Sequence, residues 1–520
     1  MYDYIIKNGL LIDGTGAAPY QADLAVKDGK IARIAENISA EGKVIDASGL
    51  CVTPGFIDSH SHSDNAMLTY PDQIEKVEQG ITTAIAGQCG GTDAPIAKEK
   101  ADSEKDIAGM GKEKDILRTM GSLLDTAKDV PQGSNIAVFV GHRALRRAVC
   151  GPDNRVSTPD ELEKMKELLI EGMEHGAMGV SFGLFYPPSS YAAMEELVAL
   201  AHTAHEHGGI IAAHIRDERD KLLESTAEFI EILRRSGARG VLSHHKAGGK
   251  TNWGKVETTL RMLDEAVAEG IDIYCDVYPY TASHTSLSSR LIPKELHDRG
   301  SQGLVERLKD ESIRAQIKEY GRSQWGDDLS WILVSSCAAY PEYIGKRLDE
   351  IAELHGSDAY DAAMDMIRDS GNVCGACYFM MCEEDVKRVL CYPRAMICTD
   401  ASVAGKEKAY HPRLRGTFPR ALGRYVREEK LMPLEEMIRK MTSLPAQVYG
   451  LHTKGKLAEG YDADLCVFDA DAIIDCAEYA ACHQRAKGLH YVFVGGEIAA
   501  ENAVYTGVRR GKVLLRENKR

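Results

Sequence analysis

Eight short apolar runs, separated by longer stretches with helical periodicity, fill the middle of this 520-residue chain. The runs cover residues 51–57, 81–86, 136–140, 178–181, 210–213, 240–242, 271–277 and 395–398. Between several of them, apolar residues recur at i, i+3 and i+4 spacing, for example over 157–174 and 194–206. This alternation favours βα units on a parallel sheet within an α/β fold, and eight strands are the number that closes a (β/α)8 barrel of the TIM type.

The two ends of the chain are β-like and lack the helical stretches of the middle. Short runs at 4–7, 23–26 and 30–34 have counterparts at 463–468, 491–494 and 497–499. They predict one small β-sandwich domain built from residues 1–50 and 441–520, with the barrel spanning 51–440. Two intervals are too long for simple connections, so we expect insertions on the rim of the barrel near 92–135 and 282–394.

The composition argues against two broad classes of protein. A net charge of −15 and a pI near 5.6 disfavour a nucleic-acid-binding face, which requires clustered basic residues. No run approaches the roughly 18 to 20 apolar residues that cross a bilayer, which disfavours a membrane protein. The N-terminus lacks a signal-peptide pattern and the thirteen cysteines are irregularly spaced, so we expect reduced thiols and a cytoplasmic location. A homo-oligomer stays open as an alternative to a monomer.

The residues directly after the predicted strands include a set of metal-binding side chains. In a barrel, the carboxyl ends of the strands build the active site. His60 and His62 are two residues apart, so in an extended backbone their side chains share one face. Imidazole, thiolate and carboxylate donors together favour Zn²⁺ over Mg²⁺ or Ca²⁺. We therefore predict a zinc site whose candidate ligands are His60, His62, Cys89, His214, His244 and Asp400.

Each candidate ligand has a structural alternative when it is considered alone. His214 and His244 fit satisfied core histidines, and Cys89 fits a small buried hydrophobe. Asp400 fits a cap on a following helix. The convergence of all six side chains on one mouth favours the metal site over these alternatives. We leave outside the ligand set six neighbouring residues with weaker arguments, namely Asp58, Asp64, His142, Asp217, His245 and Lys246.

Three further residues near the predicted mouth are candidates for substrate binding. Arg413 follows His411 and Pro412, and an arginine held by a rigid turn can bind a carboxylate with two parallel hydrogen bonds. Tyr280 and Ser286 follow the seventh predicted strand and offer hydroxyl donors to the same anion. A structural salt bridge is the alternative role of Arg413.

Several motifs carry a family resemblance. The pattern Pro-Gly-Phe-Ile-Asp-x-His-x-His at 54–62, followed by a cysteine, two single histidines and a final aspartate, resembles the amidohydrolase superfamily. The runs Gln-Cys-Gly at 88–90, Ser-His-His-Lys at 243–246 and His-Pro-Arg at 411–413 resemble its N-acyl-D-amino-acid deacylase (D-aminoacylase) family. Around the pocket the chain departs from the usual family residues at Gln88, Phe182 and Ala401, which leaves the amino acid and the acyl group open.

The resemblance assigns roles to the candidate residues. It implies a tighter zinc ion held by Cys89, His214 and His244. It leaves open a second, weaker metal site, which would be formed by His60, His62 and Asp400. It also implies that the α-carboxylate of the substrate is bound by Arg413, Tyr280 and Ser286.

The expected activity is zinc-dependent hydrolysis of the linear amide of an N-acyl-D-amino acid, a small molecule, to a carboxylate and a free D-amino acid. Asp400 is the expected catalytic residue, which takes a proton from water and returns it to the leaving nitrogen. The D preference follows from the resemblance alone. Two alternatives stay open. One is a cyclic amidase of the hydantoinase or dihydropyrimidinase kind, whose bridging lysine is not evident here, and the other is a catalytically inactive amidohydrolase-like scaffold.

Overall fold

Both ends of the chain lie in one β-sheet, and the middle forms parallel sheets flanked by helices. The computed structural model describes residues 1–96, 119–403, 411–479 and 481–516. Within these ranges the mixed α/β fold contains a nine-stranded sheet, a six-stranded sheet and two three-stranded sheets. Residues 97–118, which belong to the insertion predicted near 92–135, lie outside the described residues.

The nine-stranded sheet, called the terminal sheet below, joins strands from the two ends of the chain. Its N-terminal strands are Tyr4–Leu11, Tyr20–Lys27, Lys30–Ala35, Lys43–Asp46 and Cys51–Pro54, and its C-terminal strands are Leu465–Phe468, Leu489–Val494, Glu497–Glu501 and Val504–Tyr505. The two groups meet where Cys51–Pro54 pairs antiparallel with Leu465–Phe468. A buried cluster that includes Leu24, Val52 and Phe493 packs within this part of the molecule.

The first predicted strand, 51–57, is wrong as a single strand, because the chain changes sheets at Gly55. Residues Cys51–Pro54 belong to the terminal sheet, whereas Phe56–Asp58 pairs in parallel with Ile81–Ala86. The Gly55 backbone N–H donates to Asp464 O at 2.7 Å. A Cβ at position 55 would collide with the Thr82 side chain, so only glycine fits this crossing.

The other predicted strands form two parallel sheets that are buried almost throughout. The short parallel sheet comprises Phe56–Asp58, Ile81–Ala86 and Asn135–Val138, and the long one comprises Val140–Gly141, Gly179–Gly183, Ile210–His214, Arg239–Leu242, Ile273–Val277 and Ala395–Ile397. Parallel strands that are covered on both faces need continuous apolar runs, which explains why they were recognisable in the sequence. The predicted strand 136–140 is divided at Phe139, where the chain changes its pairing partner from the short to the long parallel sheet.

The two parallel sheets contact each other at both of their edges. At one edge, the Met178 backbone N–H donates to Val138 O at 2.9 Å. At the other, Asp400 N–H donates to His60 O at 2.9 Å, and Ser61 and Ala401 form a parallel bridge. The residues that follow the first and the last parallel strands are therefore neighbours.

Helices connect most of these strands. Their ranges are Ala66–Thr69, Ile74–Val77, Met120–Ala127, His142–Val149, Pro159–Glu174, Met194–Glu206, Leu222–Ser236, Lys255–Ala268, Glu383–Cys391, Arg413–Arg420, Leu434–Met441 and Ser443–Tyr449, with a π-helix at Ala421–Glu428. Pro159–Glu174 shows why the sequence forms them, since Thr158 and Glu161 make a reciprocal capping box and a proline opens the first turn. In the described ranges, no helix is long and apolar enough to span a bilayer.

The long interval predicted as an insertion, 282–394, contains a separate small sheet. Its antiparallel strands are Ala282–Ser286, Ile332–Cys337 and Cys374–Phe379, and its helices are Leu287–Leu291, Gly300–Arg307, Glu311–Trp325, Leu348–His355 and Ala359–Asp369. A buried cluster of its own, including Leu304, Ile332 and Tyr360, holds these elements together.

One fully buried ion pair ties the first parallel strand to the last. Lys76 Nζ lies 2.6 Å from Asp58 Oδ2 and donates to Thr399 Oγ1 at 2.8 Å, and neither side chain of the ion pair is exposed. Asp58 also accepts hydrogen bonds from the Thr399 backbone N–H at 2.8 Å and from its hydroxyl at 2.7 Å. Because both charges are paired and hydrogen-bonded, burying them is tolerable, but removing either partner leaves the other uncompensated.

We expect Lys76→Met to lower the free energy of unfolding by about 3–5 kcal/mol, because it leaves a buried carboxylate without its cation. Equilibrium unfolding in urea measures this change. Lys128→Met is the matched control, because Lys128 pairs with Asp125 at 2.9 Å on the exposed surface, and it should leave the unfolding midpoint unchanged. Equal effects of the two substitutions would contradict the structural role of the buried pair.

Candidate active site

A cavity of about 590 Å³ opens at the carboxyl ends of the parallel strands. Its wall contains His62, Cys89, His214, His244 and Asp400, which lie at or just after the ends of five different parallel strands. Ser286, from the small antiparallel sheet, closes part of the same wall. The segment 282–394 therefore contributes to the cavity.

Four predicted ligands converge within the reach of one ion. One ligand atom from each of His60, Cys89, His244 and Asp400 lies within 4.8 Å of all the others. The Cys89 Sγ is 3.3 Å from both His60 Nε2 and His244 Nε2, and 3.6 Å from His214 Nδ1. All of these side chains are buried. We call His60, Cys89, His214, His244 and Asp400 the ligand cluster.

His62 is the most peripheral of the six predicted ligands. Its side chain is 29% exposed, and its Nε2 lies 3.0 Å from Asp400 Oδ1. His60 Nε2 lies 3.5 Å from the same oxygen. The family resemblance assigns Cys89 and His244 to the tighter metal site and His60 to the weaker one, whereas the structure places these three side chains in one group.

The backbone is strained at three members of the ligand cluster. Cys89, His244 and Asp400 have φ angles of 52°, 35° and 49°, which are unusual for residues with a Cβ. Each follows the end of a parallel strand and must turn its side chain into the cavity. Strain of this kind persists at functional sites, where the surrounding structure fixes the conformation.

Burial sets the protonation of the ligand cluster. It lowers the pKa of His214 well below its usual range and lowers that of His244, so both imidazoles are neutral and can donate a lone pair. Burial also raises the pKa of the Cys89 thiol. A bound cation would favour the thiolate instead, since metal ligation deprotonates a cysteine.

The donor set fits zinc. It combines one sulfur, several imidazole nitrogens and one carboxylate, and zinc accepts all three kinds of donor. The ring nitrogens that face away from the cluster lie near carboxylates, with His60 Nδ1 3.5 Å from Asp276 Oδ1 and His214 Nε2 3.7 Å from Glu218 Oε2, an arrangement that orients ligating imidazoles. His60, Cys89, His214, His244 and Asp400 are therefore the residues that could hold zinc.

Asp400 is held between the ligand cluster and an arginine. Arg413 Nη1 donates to Asp400 Oδ2 at 2.7 Å, while His62 and His60 lie near Oδ1. Burial alone raises the pKa of Asp400, but the charge of Arg413 and the nearby histidines outweigh it, and the pKa lies well below its usual value. Asp400 is thus an ionised carboxylate that can accept a proton.

Sequence reasoning left Glu218 and Lys246 outside the ligand set, but the structure places both against the ligand cluster. Lys246 Nζ lies 2.5 Å from Glu218 Oε1 and 2.6 Å from His244 Nδ1. Glu218 Oε1 lies 3.1 Å from the same nitrogen. Glu218 lies in the loop after His214, so no periodicity in the sequence indicated that it faces the cluster. The weaker candidate Asp217 instead accepts from the Arg219 backbone N–H at 2.6 Å.

Two of the three predicted substrate contacts, Arg413 and Ser286, line the cavity. Tyr280 is not among the lining residues, and its contact with the substrate stays a prediction from sequence. Its ring packs edge-on against His411 at 5.3 Å. The Tyr280 backbone N–H donates to Tyr278 O at 2.9 Å, so a turn ends the regular alternation of the strand, and Tyr278 lies in the cavity wall instead.

The other weak candidates have structural partners. His245 Nε2 lies 2.7 Å from Thr259 Oγ1, on the opposite side of the chain from His244, as the alternation of side chains predicts. His142 Nε2 lies 2.7 Å from Glu196 Oε1. The first contact holds the helix Lys255–Ala268 against the end of a parallel strand, and the second joins the helices His142–Val149 and Met194–Glu206.

Comparisons with known proteins agree over nearly the whole chain. The Amidohydrolase family model matches residues 43–500. The chain is 36% identical over 516 residues to the D-aminoacylase of Alcaligenes xylosoxydans xylosoxydans, covering 99% of this chain and 98% of that protein.

Two solved structures are similar at the level of the fold and the sequence. A D-aminoacylase structure, from a study of its binuclear metal centre with one-metal activation and second-metal attenuation, has a TM-score of 0.85 at 35% identity, covering 99% of this chain and 100% of that chain. The N-acyl-D-glutamate deacylase of Bordetella bronchiseptica, complexed with zinc and a phosphonate mimic of the tetrahedral intermediate, has a TM-score of 0.83 at 33% identity, covering 99% of each chain.

We expect Cys89→Ala to abolish tight zinc binding, because the thiolate is the one sulfur donor in the ligand cluster. Zinc retained after dialysis should fall from about one equivalent to below about 0.1, measured by elemental analysis. Cys150→Ala, at a buried thiol outside the cavity wall, is the matched control and should retain the metal. Full zinc retention by Cys89→Ala would rule out this ligand.

Proposed function

This chain belongs to the amidohydrolase family, and we propose that it hydrolyses the linear amide of N-acyl-D-amino acids to a carboxylate and a free D-amino acid. The family that the sequence motifs resembled is confirmed. The observation that carries the proposal is the position of Asp400, an ionised carboxylate that contacts the ligand cluster on one side and Arg413 on the other. This arrangement joins a proton acceptor, a metal-binding cluster and an anion-binding cation within one cavity.

Zinc is the proposed cofactor, and the ligand cluster is its proposed site. When bound, zinc supplies Lewis acidity that activates water and polarises an amide carbonyl. The neutral imidazoles of His214 and His244 are in the protonation state that ligation requires. Glu218 and Lys246 fix the far nitrogen of His244, which orients that ring. A second, weaker metal position that includes His62 is part of the proposal.

Asp400 is the proposed general base and acid. Its Oδ2 is held by Arg413, so the carboxylate has a fixed orientation towards the cavity. It takes a proton from the attacking water and returns it to the leaving nitrogen. The low pKa of Asp400 means that it starts the cycle ionised, as a base must.

Arg413 is the proposed anchor for the α-carboxylate of the substrate. Its guanidinium lies over the Tyr278 ring, with Cζ 4.8 Å from the ring centroid, and this stacking fixes its plane. Ser286 offers a hydroxyl group in the same wall. Because Arg413 also contacts Asp400, a substrate held there places its scissile amide beside the proton acceptor.

We also propose a finer description of the fold. The long and short parallel sheets would form one closed (β/α)8 barrel, supported by the hydrogen bonds that join their edges. The terminal sheet would belong to a small β-sandwich domain built from residues 1–50 and 441–520. The barrel domain would span residues 51–440.

The two alternatives have less support. A cyclic amidase, by family resemblance, uses a bridging carboxylated lysine, whereas Cys89 lies among the candidate ligands here. An inactive scaffold would have lost ligands, yet five of the six predicted side chains line the cavity and the sixth, His60, groups with three of them.

We expect Asp400→Asn to lower kcat for N-acetyl-D-methionine by roughly 10²–10⁴-fold, because the amide cannot accept a proton. Steady-state kinetics of the zinc-loaded protein measure the change, and circular dichroism checks the fold. Asp475→Asn is the matched control, because Asp475 pairs with Arg420 at 3.2 Å outside the cavity wall. Near-normal turnover by Asp400→Asn with zinc bound would exclude the proposed base.

We expect hydrolysis of N-acetyl-D-methionine to exceed that of N-acetyl-L-methionine by about tenfold or more in kcat/KM. An anchored α-carboxylate and a fixed base leave one enantiomer with its amide correctly placed. Release of free methionine from each enantiomer gives the ratio. Equal rates would contradict the D preference while leaving amide hydrolysis intact.

A further inference from the structure

One arginine in the cavity wall lacks a counter-ion among the described residues. Arg143 lies in the first turn of the helix His142–Val149 and lines the same cavity as Cys89. The cavity cations Lys246 and Arg413, by contrast, each pair with a carboxylate at 2.5 and 2.7 Å. Arg143 therefore stands out as an unpaired charge beside the proposed metal site.

The Arg143 guanidinium is held near the ligand cluster. Its Cζ lies 5.6 Å from the centroid of the Tyr186 ring, and that ring lies 5.0 Å from the His214 ring. The Arg143 backbone N–H donates to Gly90 O at 2.9 Å. A Cβ at Gly91 would collide with Nη2, so this glycine leaves the room that the guanidinium occupies.

Local electrostatics compensate the charge of Arg143 only in part. Burial lowers the pKa of this guanidinium, because it loses hydration. A cation in the first turn also opposes the positive end of the helix dipole, and this turn contains no acidic residue. Among the described residues no carboxylate forms a close ion pair with Arg143; the nearby Asp64 attracts it only at longer range, and its Oδ2 accepts from the Asp93 backbone N–H at 3.1 Å. An anion bound at Arg143 would relieve these effects.

The cavity as a whole also favours more than one anionic group. Arg143, Arg147, Lys246, Arg290 and Arg413 line it, against four carboxylates in the described part of the wall. The α-carboxylate of the substrate is assigned to Arg413. A bound metal would add further positive charge, so a monoanion leaves the cavity electrostatically unmatched.

We propose that Arg143 binds a second carboxylate of the substrate, beyond the α-carboxylate at Arg413. This inference rests on the proposed function and narrows the substrate class to N-acyl-D-amino acids with two carboxylates. The second carboxylate can belong to the amino-acid side chain, as in N-acetyl-D-glutamate, or to the acyl group, as in N-succinyl-D-methionine. A planar guanidinium binds either with two parallel hydrogen bonds.

The test compares kcat/KM of the zinc-loaded protein for N-acetyl-D-glutamate, N-acetyl-D-aspartate, N-succinyl-D-methionine and N-acetyl-D-methionine. The natural sequence should prefer at least one dicarboxylate over N-acetyl-D-methionine. Arg143→Met should lower that preference ratio by about tenfold or more, chiefly through KM, because it removes a charged hydrogen bond. The dicarboxylate whose preference falls in Arg143→Met shows whether Arg143 binds the side-chain carboxylate or the acyl carboxylate.

Two further variants distinguish the loss of a specific contact at Arg143 from misfolding and from a general change in the positive charge of the cavity. Arg143→Lys keeps the charge without the planar fork and should give an intermediate ratio; it also serves as the test if Arg143→Met does not fold. Arg147→Met removes another cavity cation from the same helix and should change the ratio by less than about threefold. An equal effect of Arg147→Met would overturn specific recognition by Arg143.

Other results would also overturn the proposal. These are a natural sequence that prefers N-acetyl-D-methionine over every dicarboxylate, and an Arg143→Met variant that slows all substrates by one factor. Hydrolysis of none of the four compounds would defeat the proposed function instead. Calorimetric binding of the uncleaved N-acetyl-D-glutamate and N-acetyl-D-methionine then decides the question, and equal losses of affinity for both in Arg143→Met would overturn the role of Arg143.

Discussion

The buried ion pair between Lys76 and Asp58 is the interaction on which the rest of the structure depends. Neither group can reach water, so each fixes the other, and Asp58 also binds the backbone and hydroxyl of Thr399. His60 is two residues after Asp58, and Asp400 directly follows Thr399. A network that compensates two charges thus also sets the register between the first and last parallel strands, which brings a ligand and the proposed base together.

Much of the fold and of the ligand cluster could be predicted because they depend on local patterns. Strands covered on both faces require uninterrupted apolar runs, and their ends are marked by the first polar residues. Parallel strands place those ends on one side of a sheet, so His214, His244 and Asp400 could be expected to meet without knowledge of any distance. His245 likewise had to face away from His244.

The parts that sequence did not predict lie where the chain leaves regular structure. Tyr280 was a candidate because it follows the seventh predicted strand, but a turn after that strand, in which the Tyr280 N–H donates to Tyr278 O, puts Tyr278 in the cavity wall. Glu218 lies in a loop, where no period decides whether it or Asp217 faces inward. The crossing at Gly55 depends on the Thr82 side chain of a neighbouring strand, a contact that no local pattern encodes.

The pairing of Cys51–Pro54 with Leu465–Phe468 has a consequence for the order of biosynthesis. The strand that leads to His60 and His62 is synthesised long before its partner in the terminal sheet. His62 and Asp400, 338 residues apart, can meet only after the whole intervening segment has been synthesised. Contacts of such long sequence separation form slowly, so the nascent protein passes through a period in which its metal-binding side chains exist without a site.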